Sequence, residues 1–136
     1  MTLLWILVAG AIVAAIWSFY EKSRDRSLFS APPGSECENL DAARTRDYLA
    51  RHPGTQILDV RSASEFGGGA LPDAFHLSIG DPDFDSKVTS LDRDQPVLVY
   101  CAGGVRSRQA VARMKQLGFR QILHLHRGYY SWKSGR

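Results

Sequence analysis

The chain has 136 residues, 44% apolar and 23% charged, with a net charge of +3 and an isoelectric point near 9.1. That length holds one ordinary domain, and the mixed composition excludes disorder, collagen-like sequence and a long coiled coil. Only one apolar run reaches membrane length, which excludes a multi-pass architecture, and the small basic surplus lacks the clustered stripe that nucleic acid requires.

Of the first 20 residues, 17 are apolar and none is charged, whereas the remainder falls to about 37% apolar, an ordinary water-soluble composition. The sequence therefore divides into a transmembrane helix at 1–21, a juxtamembrane linker at 22–35 and a domain at 36–136. The uncharged stretch from Thr2 to Tyr20 rises about 28 Å as a helix, close to the hydrocarbon thickness of a bilayer. Trp5 lies near one end and Trp17, Phe19 and Tyr20 near the other, where amphipathic rings favour the headgroup region. A core helix apolar on every face does not suit so small a domain. A cleaved secretory signal calls for basic residues ahead of the run and small residues behind it. Here the run leaves through Trp17-Ser18-Phe19-Tyr20, which favours a retained single-pass anchor. Lys22, Arg24 and Arg26 follow at once and place that side, with the domain, in the cytoplasm.

Pro32-Pro33-Gly34 has turn and linker chemistry. Residues from Asn39 to about Arg51 read as a helix with a polar N-cap, the periodic set Leu40, Ala43 and Leu49, and a Pro53-Gly54 stop. Gln56 to Val60 is an apolar run of strand type, and Gly67-Gly68-Gly69 opens a loop. Ala74 to Ile79 has a short strand pattern, while Gly80 to Asp94 is acidic and turn-rich. Val97-Leu98-Val99-Tyr100 is the clearest strand, four β-formers behind a proline. Val105 to Leu117 sets Ala110, Val111, Met114 and Leu117 on one helical face, with Gly118 as C′ residue. Ile122 to Leu125 reads as a strand and Gly128 to Lys133 as a last short helix. This alternation predicts an α/β fold, a parallel sheet with helices on both faces.

The chemistry points to Cys101. It follows the clearest strand and opens Cys101-Ala102-Gly103-Gly104-Val105-Arg106-Ser107, which runs into a helix. Ligands of a parallel sheet gather at the carboxyl ends of its strands, where a helix N-terminus offers unpaired N–H groups and positive potential. Small and glycine residues let those amides converge on one anion, an environment in which a thiol ionises readily and the thiolate is the nucleophile. Arg106 adds a fixed positive charge for an anionic substrate.

These residues resemble the rhodanese family of sulfurtransferases. Cys101, Gly104 and Arg106 match its C-x-x-G-x-R, with Ser107 following. Leu58-Asp59-Val60-Arg61 with Glu65-Phe66 is similar to its D-V-R-x-x-x-E-F, and Gly128 to Trp132 to its C-terminal G-G-x-x-x-W. Two departures stand out. Gly69-Ala70-Leu71-Pro72-Asp73-Ala74 replaces G-H-I-P-G-A, and His126-Arg127-Gly128 lacks the first of the paired glycines. The resemblance implies a rhodanese-like fold and a double displacement without cofactor or metal. Cys101 would take a sulfane sulfur from a small donor such as thiosulfate, carry it as a persulfide and pass it to cyanide or a cellular thiol. Backbone N–H groups of Ala102, Gly103, Gly104, Val105, Arg106 and Ser107 would hold the outer sulfur, Arg106 would position the donor's anionic end, and Ser107 would donate to sulfur. Asp59 and Arg61 would brace the loops.

The sequence leaves two rival readings. Related phosphatases and arsenate reductases use H-C-x5-R, one residue longer, whereas Cys101 to Arg106 is C-x4-R with Tyr100 in place of the histidine. The other rival is a membrane-tethered sulfur carrier or binding module with little turnover, which retention of Cys101 disfavours. Cys37 reads as a passive thiol. Asp81 to Asp85 resembles a calcium loop only superficially, because Ser86 stands where a glycine is needed. His124 and His126 alternate along a strand without further ligands and read as packing residues, and His52 and His76 are unremarkable. For the anchor, a reporter active only in the cytoplasm is expected to report from the C-terminus and stay silent at the N-terminus; the opposite pattern would overturn the orientation.

Overall fold

The computed structural model describes residues 1–31 and 35–135, so the turn read at Pro32-Pro33-Gly34 lies outside the described residues. The chain separates into two units, Met1–Ser30 and Ala31–Arg136. The first is a single helix, α1 (Thr2–Leu28), long and apolar enough to cross a membrane. It continues through residues 22–28, where the sequence reading places linker. Nothing there stops it: Glu21, Lys22, Arg24 and Arg26 are helix formers, and no glycine or proline intervenes before Pro32. Phe29 closes the helix by donating its N–H to the carbonyl of Asp25.

The second unit is a five-stranded parallel sheet in the order β1-β5-β4-β2-β3, formed by β1 (Glu36–Leu40), β2 (Gln56–Asp59), β3 (Phe75–His76), β4 (Val97–Tyr100) and β5 (Gln121–Leu125). Between them run α2 (Ala42–Arg51), α3 (Ala63–Gly67), α4 (Phe84–Val88) and α5 (Val105–Gln116), and α6 (Gly128–Ser134) closes the chain. Strand residues alternate between the two faces. Leu98 and Tyr100 of β4, Leu123 and Leu125 of β5 and Ile57 of β2 form one cluster, covered by Tyr48 and Leu49 of α2 and by Tyr129 and Trp132 of α6. On the other face α5 packs against β4 and β5 with Ala110, Val111 and Met114 buried, and α4 packs against α5.

Several elements differ from the sequence reading, α3 among them, which that reading does not contain. β1 was not expected: Glu36 and Glu38 are exposed while Cys37 and Leu40 are buried, an edge-strand pattern too polar to read as a strand without its partner β5. α2 consequently begins at Ala42, where the Asp41 carboxylate accepts the Arg44 N–H at 2.8 Å. α4 forms inside the turn-rich acidic segment because Phe84 and Val88, one helical turn apart, are both fully buried. The strand expected at Ala74 to Ile79 shrinks to Phe75–His76, although Leu77 and Ile79 still donate their amides to the carbonyls of Asp59 and Val60.

One buried ion pair ties the loops together at the carboxyl end of the sheet. Asp59 is fully buried and Arg61 is 3% exposed; the Arg61 amide, Nε and Nη2 all donate to the Asp59 carboxylate at 2.6–3.0 Å. Nη2 also donates to the carbonyl of Gly69, and the guanidinium lies 4.3 Å from the Tyr129 ring and 5.5 Å from the Tyr100 ring. Burial works against the Arg61 charge, yet Asp59 prevails and raises the guanidinium above its ordinary value. Burial, and Asp59 next to it, push the Tyr100 hydroxyl up, so it stays protonated while accepting the Leu71 amide at 3.0 Å. An Asp59→Asn chain leaves Arg61 buried without its countercharge and is expected to lose about 3 kcal/mol of stability, read from urea midpoints of the full chain in detergent micelles.

Candidate active site

β4 ends at Tyr100 and α5 begins at Val105, and the turn between them carries Cys101. Tyr100 faces the cluster shared with α2 and α6, so the residue ahead of the cysteine is a packing residue. Gly104 adopts φ +103, and a side chain there would meet Arg108 Nη1 at 2.8 Å and the Arg127 amide at 3.2 Å. That left-handed turn brings the Gly104 N–H to within 3.1 Å of Cys101 Sγ. The Ser107 hydroxyl lies 3.3 Å from the same sulfur.

Cys101 is 1% exposed, whereas Gly103 and Val105 in the same turn are exposed. Its sulfur thus meets polar donors, in a turn that reaches the surface through its other residues. Among the described residues no side chain caps the N-terminus of α5, the end of a helix that favours an anion. The carbonyls of the turn are engaged on the far side: Tyr129 donates its N–H to Cys101 at 2.8 Å and Tyr130 to Ala102 at 3.1 Å. Gly128, φ +62, permits this approach, since any side chain would run into the Cys101 and Ala102 carbonyl oxygens.

Arg106 sits at the second position of α5. Its Nη1 and Nη2 each donate to Glu65 at 2.8 Å, a two-pronged pair with side chains 38% and 33% exposed. The sequence reading gives Arg106 to the substrate alone and assigns Glu65 no part. In the structure Glu65 also completes the capping box of α3, accepting the Ser62 amide at 2.9 Å while its own amide donates to Ser62 Oγ. The spacing Ser62-x-x-Glu65 carried that signal. Hydrogen bonds from Arg106, and then from Ser62, hold the Glu65 carboxyl well below the usual carboxylate range. Glu65 in turn raises the Arg106 guanidinium, with a smaller contribution from Cys101.

A second group missed by the sequence reading is His124. It is fully buried, with Nε2 2.6 Å from Ser107 Oγ and Nδ1 2.8 Å from Asn39 Oδ1. Asn39 lies on β1, the strand that the sequence did not disclose, so no linear spacing could have joined these residues. Cys37 takes no part. It pairs across β5 in register with Val97, four residues before Cys101, which sets it about 13 Å back along the strands, beyond disulfide reach. Burial pushes its thiol up.

A family model for the rhodanese-like domain matches residues 42–135. The chain belongs to that family. It is 30% identical over 101 residues to the thiosulfate sulfurtransferase GlpE of Coxiella burnetii, covering 74% of this chain and 85% of that one. To a protein named sulfurtransferase from Allochromatium vinosum it is 29% identical over 93 residues, 68% of this chain and 85% of the other. Among solved structures, a rhodanese-related protein from Thermoplasma volcanium superposes with a TM-score of 0.62 at 30% identity, covering 72% of this chain and 92% of that one.

The two departures from the rhodanese glycine pattern now have a physical reading. Asp73 and Arg127, which stand where the family has glycine, are the two non-glycine residues of positive φ among those described, at +60° and +62°. The turns keep their left-handed form and the side chains adapt to it. Aspartate does so readily; arginine carries a cost of roughly 1 kcal/mol.

The Glu65–Arg106 pair generates a pH-dependent expectation. The folded-state carboxyl lies below its unfolded value, so the stabilisation is present above about pH 4.3 and is lost as the pH falls below it. After discounting for solvent screening, Glu65→Gln is expected to lower stability by about 1 kcal/mol at neutral pH. The gap to wild type in urea midpoints should close on acidification below about pH 4; a gap that persists at low pH would contradict the assignment.

Proposed function

We propose that the domain is a sulfurtransferase that moves a sulfane sulfur from a small anionic donor such as thiosulfate to a thiophilic acceptor through a persulfide on Cys101. The observation that carries this reading is the convergence of the Gly104 N–H and the Ser107 hydroxyl on one sulfur at the uncapped N-terminus of α5. In the first half-reaction the Cys101 thiolate attacks the sulfane sulfur, a new S–S bond forms, the donor's own S–S bond breaks and sulfite leaves with the electron pair. Amides from Ala102 to Ser107 receive the charge on the outer sulfur. In the second, cyanide or a thiolate attacks that outer sulfur and Cys101 departs as thiolate. Arg106 keeps N–H donors beyond those given to Glu65, and these orient the donor's anionic end. Asp59 and Arg61 hold the surrounding loops and take no chemical role.

We further propose that α1 is a retained single-pass anchor with the domain on the cytoplasmic side. The basic residues Lys22, Arg24 and Arg26, on its last turns, support that orientation.

Intact mass after thiosulfate treatment tests the reaction. Wild type is expected to gain one sulfur atom and Cys101→Ser none, with sulfite released in equal amount. Ping-pong kinetics with thiosulfate and cyanide should accompany it; sulfur loading without turnover would instead indicate a carrier, and equal behaviour of the two chains would defeat the mechanism.

A further inference from the structure

Behind Ser107 the hydrogen bonds continue away from the sulfur in a definite order. His124 Nε2 lies 2.6 Å from Ser107 Oγ, His124 Nδ1 2.8 Å from Asn39 Oδ1, and Asn39 Nδ2 3.1 Å from His126 Nδ1. Arg108 Nη2 approaches that same His126 nitrogen at 3.3 Å, while its Nη1 donates to the Gly104 carbonyl at 2.8 Å.

Arg108 fixes the direction of the whole series. A guanidinium only donates, so His126 Nδ1 accepts. The Asn39 atom facing that nitrogen is then its NH2 group, and the amide oxygen is turned to His124. His124 Nδ1 must therefore carry a hydrogen and donate it to Asn39. In the neutral imidazole this leaves Nε2 as a bare acceptor, aimed at Ser107.

The Ser107 hydroxyl has one proton and two claimants, His124 Nε2 and Cys101 Sγ. With Nε2 bare, the hydroxyl donates to His124, and its oxygen accepts from the Cys101 S–H. With Nε2 protonated, the hydroxyl receives a hydrogen bond from His124 and donates its own to the sulfur. We propose that His124 is a positioning residue that takes up, through the Ser107 hydroxyl, the proton Cys101 releases on becoming a thiolate.

The step balances without any co-reactant. The S–H bond breaks and its proton bonds to Ser107 Oγ, while the proton formerly on Oγ bonds to His124 Nε2. Serine is unchanged, no electron is transferred, and a neutral thiol and imidazole become a thiolate and an imidazolium. All three groups are buried, Cys101 at 1% exposure and Ser107 and His124 at 0%, so a local proton acceptor spares the site a proton exchange with bulk water. Among the described residues, the titratable and charged groups hydrogen-bonded along this relay are Cys101 after β4, Arg108 on α5 and His126 just after β5; β1 contributes the neutral amide of Asn39. When the acceptor later takes the outer sulfur, the same imidazolium supports the departing Cys101 thiolate through Ser107. This last use rests on the sulfur-transfer reading; the proton relay itself does not.

The test follows iodoacetamide alkylation of Cys101 against pH in the full-length protein in detergent micelles, read by mass spectrometry on the Cys101 peptide. His124→Gln can still hydrogen-bond Ser107 but cannot take up a proton there. Its alkylation rate at about pH 6 is expected to fall about tenfold, and its profile to move to higher pH. Ser107→Ala should produce the same change, and the double variant no more than either alone. A His124→Gln profile that superposes on wild type overturns the relay, as does a change seen with Ser107→Ala only. A second measurement needs no variant. In wild type carrying 15N-labelled histidine, alkylation of Cys101 removes the thiolate, so the His124 Nε2 resonance should shift as that nitrogen loses its proton; an unmoved resonance overturns the proposal even if the variants fail to fold. Neither readout uses a sulfur donor, so a chain that fails to load sulfur yet shows both effects would refute the transferase reading and leave the relay standing.

Discussion

The turn after β4 presents its amides to a sulfur because its carbonyls are held elsewhere. Buried main-chain groups must be paired, and the carbonyls of Cys101 and Ala102 find their donors in the first amides of α6. With those oxygens drawn to one side, and with Gly104 in the left-handed region, the Gly104 N–H turns onto Cys101 Sγ. The shape of this loop is thus set by α6 as much as by the strand and helix that flank it. Gly128 is the point of closest approach, where no side chain fits between the two backbones.

Two carboxylate–guanidinium pairs frame this loop, and their surroundings give them different duties. Asp59–Arg61 is buried under Tyr100 and Tyr129, where removal of either partner strands a charge, so the pair behaves as part of the core. Glu65–Arg106 is about one-third exposed. Water screens it, its contribution to stability is small, and its main effect is geometric: Glu65 joins the start of α3 to the start of α5. Arg106, five residues after Cys101, is thereby held in place by a residue 41 positions away.

Much of this was legible in the primary sequence where one segment carries its own information. β4 is four adjacent β-formers behind a proline, α5 has a clear apolar stripe, and Cys101-x-x-Gly104-x-Arg106 lies on contiguous chain, so strand, cysteine-bearing turn and helix were readable in order. α3 carries a local signal too, the capping spacing Ser62-x-x-Glu65, which the sequence reading does not use. β1 was not readable, because an edge strand of alternating charge gains its identity from pairing with β5 and has little apolar signal of its own. α4 is decided the same way, by burial of Phe84 and Val88 in an otherwise acidic segment.

Local pattern, then, determined the apolar helix, the α/β alternation, the family resemblance and the place of Cys101 between strand and helix, since each depends on neighbours within a turn or two of chain. Tertiary structure alone decided which side chains line up behind that thiol. Asn39, Ser107 and His124 come from β1, α5 and β5, and lie 85 and 17 residues apart along the hydrogen-bonded series. Hydrogen bonds between side chains act over about 3 Å, and only the parallel register that sets Asn39 opposite His124 brings those groups within that range.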